Sequence, residues 1–237
     1  MREYLLVLFV AAAVTYLSVP VVRWYAVRWN VMAEIRDRDV HDYPIPRLGG
    51  VAMFAGFLAG MLVASQLSFV SDVFKESQDA VAVLSAGALI WLIGVADDIW
   101  GLDSLTKAAG QVVAAGVLVF QGVQLVWLPI GGVTVLDFNT SVLVTVLVVV
   151  GTINAINFVD GLDGLAAGII GIGSLAFFAF SYLLSVDRGI GGATTAALLT
   201  AVLAGMCAGF LPHNFNPARI FMGDSGSMLA GLLLSAS

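Results

Sequence analysis

TSVLVTVLVVVGTINAI, residues 140–156, runs without a break into NFVDGLDG, residues 157–164. The first part is apolar and approaches the roughly 20 residues a helix needs to cross a hydrocarbon core about 30 Å thick. The second is built from Asn, Asp and Gly around a few apolar side chains, a composition that belongs at a membrane edge rather than within it. Asn154, Asn157, Asp160 and Asp163 recur every third residue, so neighbouring members of the series face the same way for as long as the helix persists. Gly161 and Gly164 then loosen the chain and let backbone approach a ligand. One stretch thus sets out the pattern of the whole chain, an apolar crossing that ends in a polar loop.

The pattern repeats outward in both directions. Apolar runs predict spans at 4–23, 48–70, 80–96, 108–121, 140–156, 165–185 and 193–210, with an eighth starting near 228. The composition agrees, with 60% hydrophobic residues, 11% charged residues and a mean hydropathy of +1.00. A soluble domain seldom carries so few charges and so much apolar surface. The expected fold is therefore an all-α integral membrane protein, a polytopic bundle of about eight transmembrane helices forming one domain over residues 1–237. The first run is long and has no small-residue cleavage pattern, which predicts a retained span and not a removed signal peptide. Only about ten residues of the eighth run precede Ser237, and the chain reads as a fragment truncated at its C-terminus.

Cations orient the bundle, because Lys and Arg near span ends favour the cytoplasmic side. Arg23, Arg28, Arg36, Arg38 and Arg47 in and beside the first loop put that loop inside and the N-terminus outside. Alternation brings Lys107 and Arg219 inside as well and leaves Arg2, Lys75 and Arg188 outside, so seven of the ten cations obey the rule. The same alternation gathers Asp97-Asp98, Asn157 to Asp163, and His213-Asn214 through Asp224-Ser225 on the inside face. The outside segments group no such residues, and 122–139 reads as a small hairpin around Gly131-Gly132. The formal net charge of −6 argues against a nucleic-acid surface, which would need clustered cations. Cys207, the single cysteine, lies in an apolar run, can form no intrachain disulfide and is read as packing.

Carboxylates at a membrane edge are expensive to desolvate, and five of them in three loops on one face form a candidate functional site. Any one Asp can instead cap a helix or sit in water, and any one Lys or Arg can be an interfacial anchor. Adjacent Asp97 and Asp98 repel each other unless a cation, a shared proton or good solvation intervenes. Oxygen donors without thiolates or grouped imidazoles suit a hard ion, Mg²⁺ or Mn²⁺, and argue against zinc. Mg²⁺ completes its shell with water and substrate phosphates, so a phosphate or diphosphate substrate is the natural complement. Arg47, Lys107, Arg219 and His41 are the available positive groups.

Four motifs, Pro44-Ile-Pro-Arg-Leu-Gly-Gly50, Asp97-Asp98 followed by Gly101-Leu102, Asn154 to Gly164, and Asn214-Phe-Asn-Pro-Ala-Arg-Ile-Phe-Met-Gly-Asp-Ser-Gly-Ser227, occur in this order and spacing. Together they make the chain similar to the polyprenyl-phosphate hexosamine-1-phosphate transferases. The resemblance covers most of the chain. It implies transfer of a sugar 1-phosphate from a UDP-sugar to a polyprenyl phosphate, release of UMP, Mg²⁺ and a cytoplasmic active site in a multi-pass protein of the inner (plasma) membrane. It is also compatible with a homodimer.

Carried over by position, Asp97 matches the family's base or phosphate-positioning acid, and Asp98 and Asp224 match its metal pair. Asn157, Asp160, Gly161, Leu162 and Asp163 match the stretch lining the uridine site, with Asp160 and Asp163 as further catalytic candidates. Asn214 and Phe221 stand beside it in the last inside loop, and His41, Arg47, Lys107 and Arg219 are phosphate-binding candidates. Ile-Pro-Arg-Leu-Gly-Gly and Asn-Phe-Val-Asp resemble the bacterial N-acetylglucosamine-1-phosphate branch. The muramyl-pentapeptide branch shows Thr-Pro-Thr-Met-Gly-Gly and Asn-Leu-Thr-Asp there. The family's later His-rich loop lies beyond Ser237. A transporter or scaffold is the non-enzymatic alternative, but its charges would lie near the bilayer midplane and not at one face.

Overall fold

The protein is described by a computed structural model over residues 1–32, 44–68, 70–71, 73–74, 78–128, 132–188 and 191–237. His41, Arg36 and Arg38 lie outside the described residues. Among those described, eight helices of 13 residues or more follow one another. They are α1 (Arg2–Arg28), α2 (Gly49–Ala64), α3 (Asp79–Trp100), α4 (Ser104–Phe120), α5 (Phe138–Val159), α6 (Leu165–Arg188), α7 (Gly191–Asn214) and α8 (Gly223–Ser235). Between α4 and α5 an antiparallel pair, β1 (Trp127–Leu128) and β2 (Thr134–Val135), forms the hairpin expected there. It is strapped to α5, where Ser141 Oγ donates to the Leu125 carbonyl and the Leu125 amide donates to Thr145 Oγ1.

Among the described residues five helices are long and apolar enough to cross a membrane, namely α1, α3, α5, most of α6 and α7. The helices α2 and α4 are apolar but have 16 and 17 residues, at or below the short end of the spanning range. The run expected over 48–70 thus stops as a helix at Ala64, where Ser65 and Gln66 bond within the turn and end the ladder. Phe9, Leu17, Phe180 and Ile172 are among the large apolar side chains left exposed on α1 and α6. A single exposed leucine means little, but whole helix faces of this kind require an apolar solvent.

Two helices act as hubs. Most of α7 is enclosed by α1, α2 and α6. Small residues permit this, since a Cβ on Gly205 or Gly209 would strike the backbone of Leu8 or Ala12 in α1. The short α8 is buried along nearly its whole length between α2, α3 and α5. Its neighbours approach at glycines too: Gly50 of α2 lies against Gly226, Gly94 of α3 against Ser225, and Gly231 of α8 against Ile153 of α5. Tyr4, Phe57, Phe210 and Leu198 are among the largest fully buried side chains of the core, Tyr4 packing from α1 on Phe178 and Tyr182 of α6.

Candidate active site

Four helix ends meet at one end of the bundle, and their local chemistry explains why they stop there. At the C-terminus of α3 the chain turns through Gly101, whose φ of +66° suits a residue without a Cβ. Two residues on, Asp103 caps α4: its carboxylate accepts from the Leu105 and Thr106 amides, each at 3.1 Å, and from the Thr106 hydroxyl. Those bonds hold its carboxyl below the usual range, the Thr106 hydroxyl contributing most. Lys107, in the first turn of α4, is thereby aimed back at the end of α3.

Asp97 and Asp98 are in the last turn of α3, not in a loop, and both are buried. One residue of helix is about 100° of rotation, so adjacent carboxylates face different partners. Asp97 turns to α4, accepting from the Leu102 amide at 2.7 Å through Oδ1 and meeting Lys107 Nζ at 2.5 Å through Oδ2. The same ammonium lies 2.9 Å from Asp224 Oδ2, so one cation bridges two carboxylates. Asp98 turns to α8 instead. Its Oδ1 accepts from the Asp224 amide at 2.8 Å, and its Oδ2 from the Ser225 amide and hydroxyl at 3.0 and 2.6 Å.

This cap corrects the expected start of the last apolar run. The helix begins at Gly223 and not near 228, because Asp98 satisfies its first free amides from another helix. Asp224 consequently stands in the first turn of α8, where a carboxylate also complements the helix dipole. Gly223 has φ +71°, and a Cβ there would come within 2.6 Å of the Asp98 carboxylate. The position needs glycine on both grounds.

Asn157, in the last turn of α5, donates through Nδ2 to Asp224 Oδ1 and, at 2.9 Å, to Ser227 Oγ. Asp160 caps the same helix end. Burial raises its carboxyl well above the usual range, the charges of Asp224 and Asp98 add to the rise, and the Gly223 amide opposes it. Asp97 and Asp224 therefore share one ammonium, and Asp98 and Asp160 bring two more carboxyl groups beside Asp224.

The remaining candidates divide by what they touch. Asp163 Oδ2 accepts from the Ala218 amide at 2.9 Å and from Asn216 Nδ2 at 3.1 Å, which fastens the loop after α7 to the loop after α5. Asn214 is buried and makes a second tie between the same loops, accepting from the Gly164 amide and donating to the Ile220 carbonyl. The Phe221 amide donates to the Pro46 carbonyl, and the Gly49 and Gly50 amides donate to Phe221 and Met222. Through these bonds the first motif lies directly on the last. Gly161 and Leu162 are exposed on the loop between α5 and α6, with Leu162 and Phe158 presenting apolar surface beside the polar cluster. Arg47 and Arg219 stand outside the Lys107 cluster; Arg219 contributes its carbonyl to Arg23 Nε at 2.9 Å.

Three contributors are absent from the sequence-level site. Ser225 and Ser227 lie within the quoted Gly-Asp-Ser-Gly-Ser motif and act through their hydroxyls. Gln111, buried in α4, accepts from Asn154 Nδ2 at 2.6 Å and joins α4 to α5 one turn below Asn157. A polar residue alone in an apolar run was the available signal for Gln111.

Arranged in this way, the end of the bundle offers oxygen donors around a point already held by a positive charge. Among the described residues no group of three or more His, Cys, Asp or Glu forms a self-sufficient metal cage. The donor chemistry still fits a hard cation: Asp97, Asp224 and Asn157 present oxygen-bearing side chains, and negative charge exceeds positive. An incomplete set is what Mg²⁺ uses when substrate phosphates supply the rest.

Comparison with known proteins gives a consistent answer. The model of glycosyl transferase family 4 matches residues 80–237. Over its whole length the chain is 51% identical to the decaprenyl-phosphate N-acetylglucosaminephosphotransferase of Mycolicibacterium smegmatis, covering 60% of that protein. It is 34% identical over 98% of its length to a probable undecaprenyl-phosphate N-acetylglucosaminyl 1-phosphate transferase of Bacillus subtilis, covering 61% of it. A phospho-N-acetylmuramoyl-pentapeptide-transferase of Mycobacterium bovis is 32% identical over 98% of the chain, with 74% of that protein covered. The chain thus spans about 60% of the length of the M. smegmatis and B. subtilis relatives.

Proposed function

The chain belongs to glycosyl transferase family 4, and from that premise we propose that the protein transfers N-acetylglucosamine 1-phosphate from UDP-N-acetylglucosamine to a polyprenyl phosphate. The relative with 51% identity is named for N-acetylglucosamine phosphate transfer to decaprenyl phosphate, against 32% for the muramoyl-pentapeptide relative. The reaction takes place at the cytoplasmic face of the plasma membrane. The excess of Arg and Lys in the loops at the acidic end of the bundle supports that side, and UDP-sugars are supplied there.

The observation that carries the reading is Lys107 held between Asp97 and Asp224 at the junction of four helix ends. An oxygen of the acceptor phosphate attacks the sugar-linked phosphorus of the donor. The bond from that phosphorus to the bridging oxygen breaks, and UMP leaves with the electron pair. The protein's part is positioning and charge compensation, as in other phosphoryl transfers. Lys107 offers its ammonium to the donor diphosphate. Asp97 orients the attacking phosphate, which is already ionised near neutral pH and needs no strong base. Asp224, with Asp97 and Asn157 beside it, would hold Mg²⁺, which when bound neutralises the diphosphate charge. Asp160, Gly161, Leu162 and Phe221 border the side on which the uracil would rest.

The test is an assay of the full-length protein with labelled UDP-N-acetylglucosamine and UDP-muramyl-pentapeptide against a polyprenyl phosphate. Formation of a lipid-diphosphate N-acetylglucosamine with UMP release is the expected outcome. A higher kcat/KM for the muramyl donor would overturn the donor assignment, and no lipid product from either donor would overturn the reaction.

A further inference from the structure

A cavity of about 300 Å³ opens between the end of α1, residues 44–46 and residues 217–219, apart from the Lys107 cluster. Its wall includes Arg23, Val27, Ile45, Pro46, Pro217 and Arg219. Both arginines are exposed, and among the described residues no carboxylate lines the cavity or pairs with either of them. Arg23 is held in place by its Nε bond to the Arg219 carbonyl, which leaves the terminal nitrogens of its guanidinium for another acceptor.

The surroundings specify the ligand further. Trp24, Tyr25 and Trp29 are exposed on the last turns of α1 and at its end; Tyr25 meets Trp24 edge to ring and Trp29 with the rings tilted, and Arg28 sits 5.5 Å from the Trp24 ring centre. Exposed Trp and Tyr at the end of a spanning helix mark the level of the lipid headgroups. The cavity therefore lies at that level, with two fork-shaped cations on a wall that prolines keep stiff. Guanidinium groups match the oxygens of a phosphate in spacing and charge. Pre-positioning the Arg23 guanidinium by its bond to the Arg219 carbonyl reduces the ordering that binding would otherwise require.

We propose that this cavity is a second anion site, distinct from the transfer centre, which takes the phosphate of an anionic membrane-lipid headgroup between Arg23 and Arg219. The site goes beyond the transfer reaction and does not depend on which donor is used. Through Pro46 and Arg219 it adjoins the backbone ladder that carries Phe221, so an occupied cavity braces the loop leading into Asp224.

The experiment is native mass spectrometry of the purified full-length protein in micelles without polyprenyl phosphate, titrated with phosphatidylglycerol or phosphatidylcholine. One retained phosphatidylglycerol is expected, with about tenfold weaker retention in Arg23→Gln and in Arg219→Gln, and no retained phosphatidylcholine. Arg28→Gln removes the same charge from the same helix end but outside the cavity, and should retain the lipid as the parent does. Equal weakening by Arg28→Gln, or none in either cavity variant, would overturn the proposal. Displacement of the lipid by an equal concentration of inorganic phosphate would keep the anion site but reject the lipid as its source. Melting curves of each variant separate loss of binding from loss of fold.

Discussion

Asp97 and Asp98 are neighbours in one helical turn, yet one faces a side-chain cation and the other a backbone. The ammonium that Asp97 meets is a side-chain cation, able to turn towards the anionic oxygens of a phosphate. The amides that Asp98 meets are the start of a buried helix and have no other partner among the described residues. A carboxylate pair at a membrane edge thus combines a group free to take part in chemistry with one committed to holding the chemistry in place.

Substitution should separate the two faces. Asp97→Asn keeps the shape and the oxygen that accepts from Leu102, and Lys107 retains Asp224, so turnover should fall by roughly 10²-fold through lost positioning with little loss of melting temperature. Asp98→Ala strands the Asp224 and Ser225 amides and the Ser225 hydroxyl in a buried place. A cost of about 3 kcal/mol is expected for losing charge-assisted bonds that are not additive. Activity assays and thermal melting of both variants in the same micelles check the contrast. Equal melting losses would erase the distinction.

A gentler change sharpens it. Ser225→Ala removes one of the three donors to Asp98 and nothing from Asp97, and should cost about 1 kcal/mol. Any drop in turnover should follow the drop in melting temperature. An unchanged melting temperature with much reduced turnover would make Ser225 part of the reacting group instead of the scaffold.

The smallest effect concerns how Lys107 is delivered to Asp97. Asp103 has its carboxyl held below the usual range by Thr106, so it is a depressed acid. Its stabilisation of α4 is present above the unfolded-state value near pH 4 and is lost as pH falls through the lower folded value. The melting temperature of Asp103→Asn should lie below that of the parent at about pH 6 and converge with it towards about pH 3. A gap that stays constant over that range would remove the cap's charge from the account.

The bundle was legible in the sequence because membrane helices declare themselves by composition. Alternating sides even grouped Asp97, Asn157, Lys107 and Asp224 before any contact was known. The division of labour between Asp97 and Asp98 was not legible. Helical phase says that they point apart, but not which neighbour each meets. Nor could Asp224 be recognised as helical: its helix starts early because a cap arrives from 126 residues away. Asp163 and Asn214 belong to polar motifs that read as ligand contacts, whereas their described bonds fasten one loop to another. Arg23 was read only as a topology signal, since nothing local to α1 reveals the loop that comes to lie beside it.

The close seat of α1 on α7 has a consequence for biosynthesis. The backbones of Leu8 and Ala12 are met by Gly205 and Gly209, which a ribosome reaches nearly 200 residues later. At 5–20 residues per second that interval is roughly 10–40 s. Over that time Ala11 and Thr15 can already pack on Gly56 of α2, while the Leu8 and Ala12 backbone that α7 will cover is met by lipid or by an insertion factor. A helix face obliged to wait so long for its mate is where a membrane chaperone would matter most.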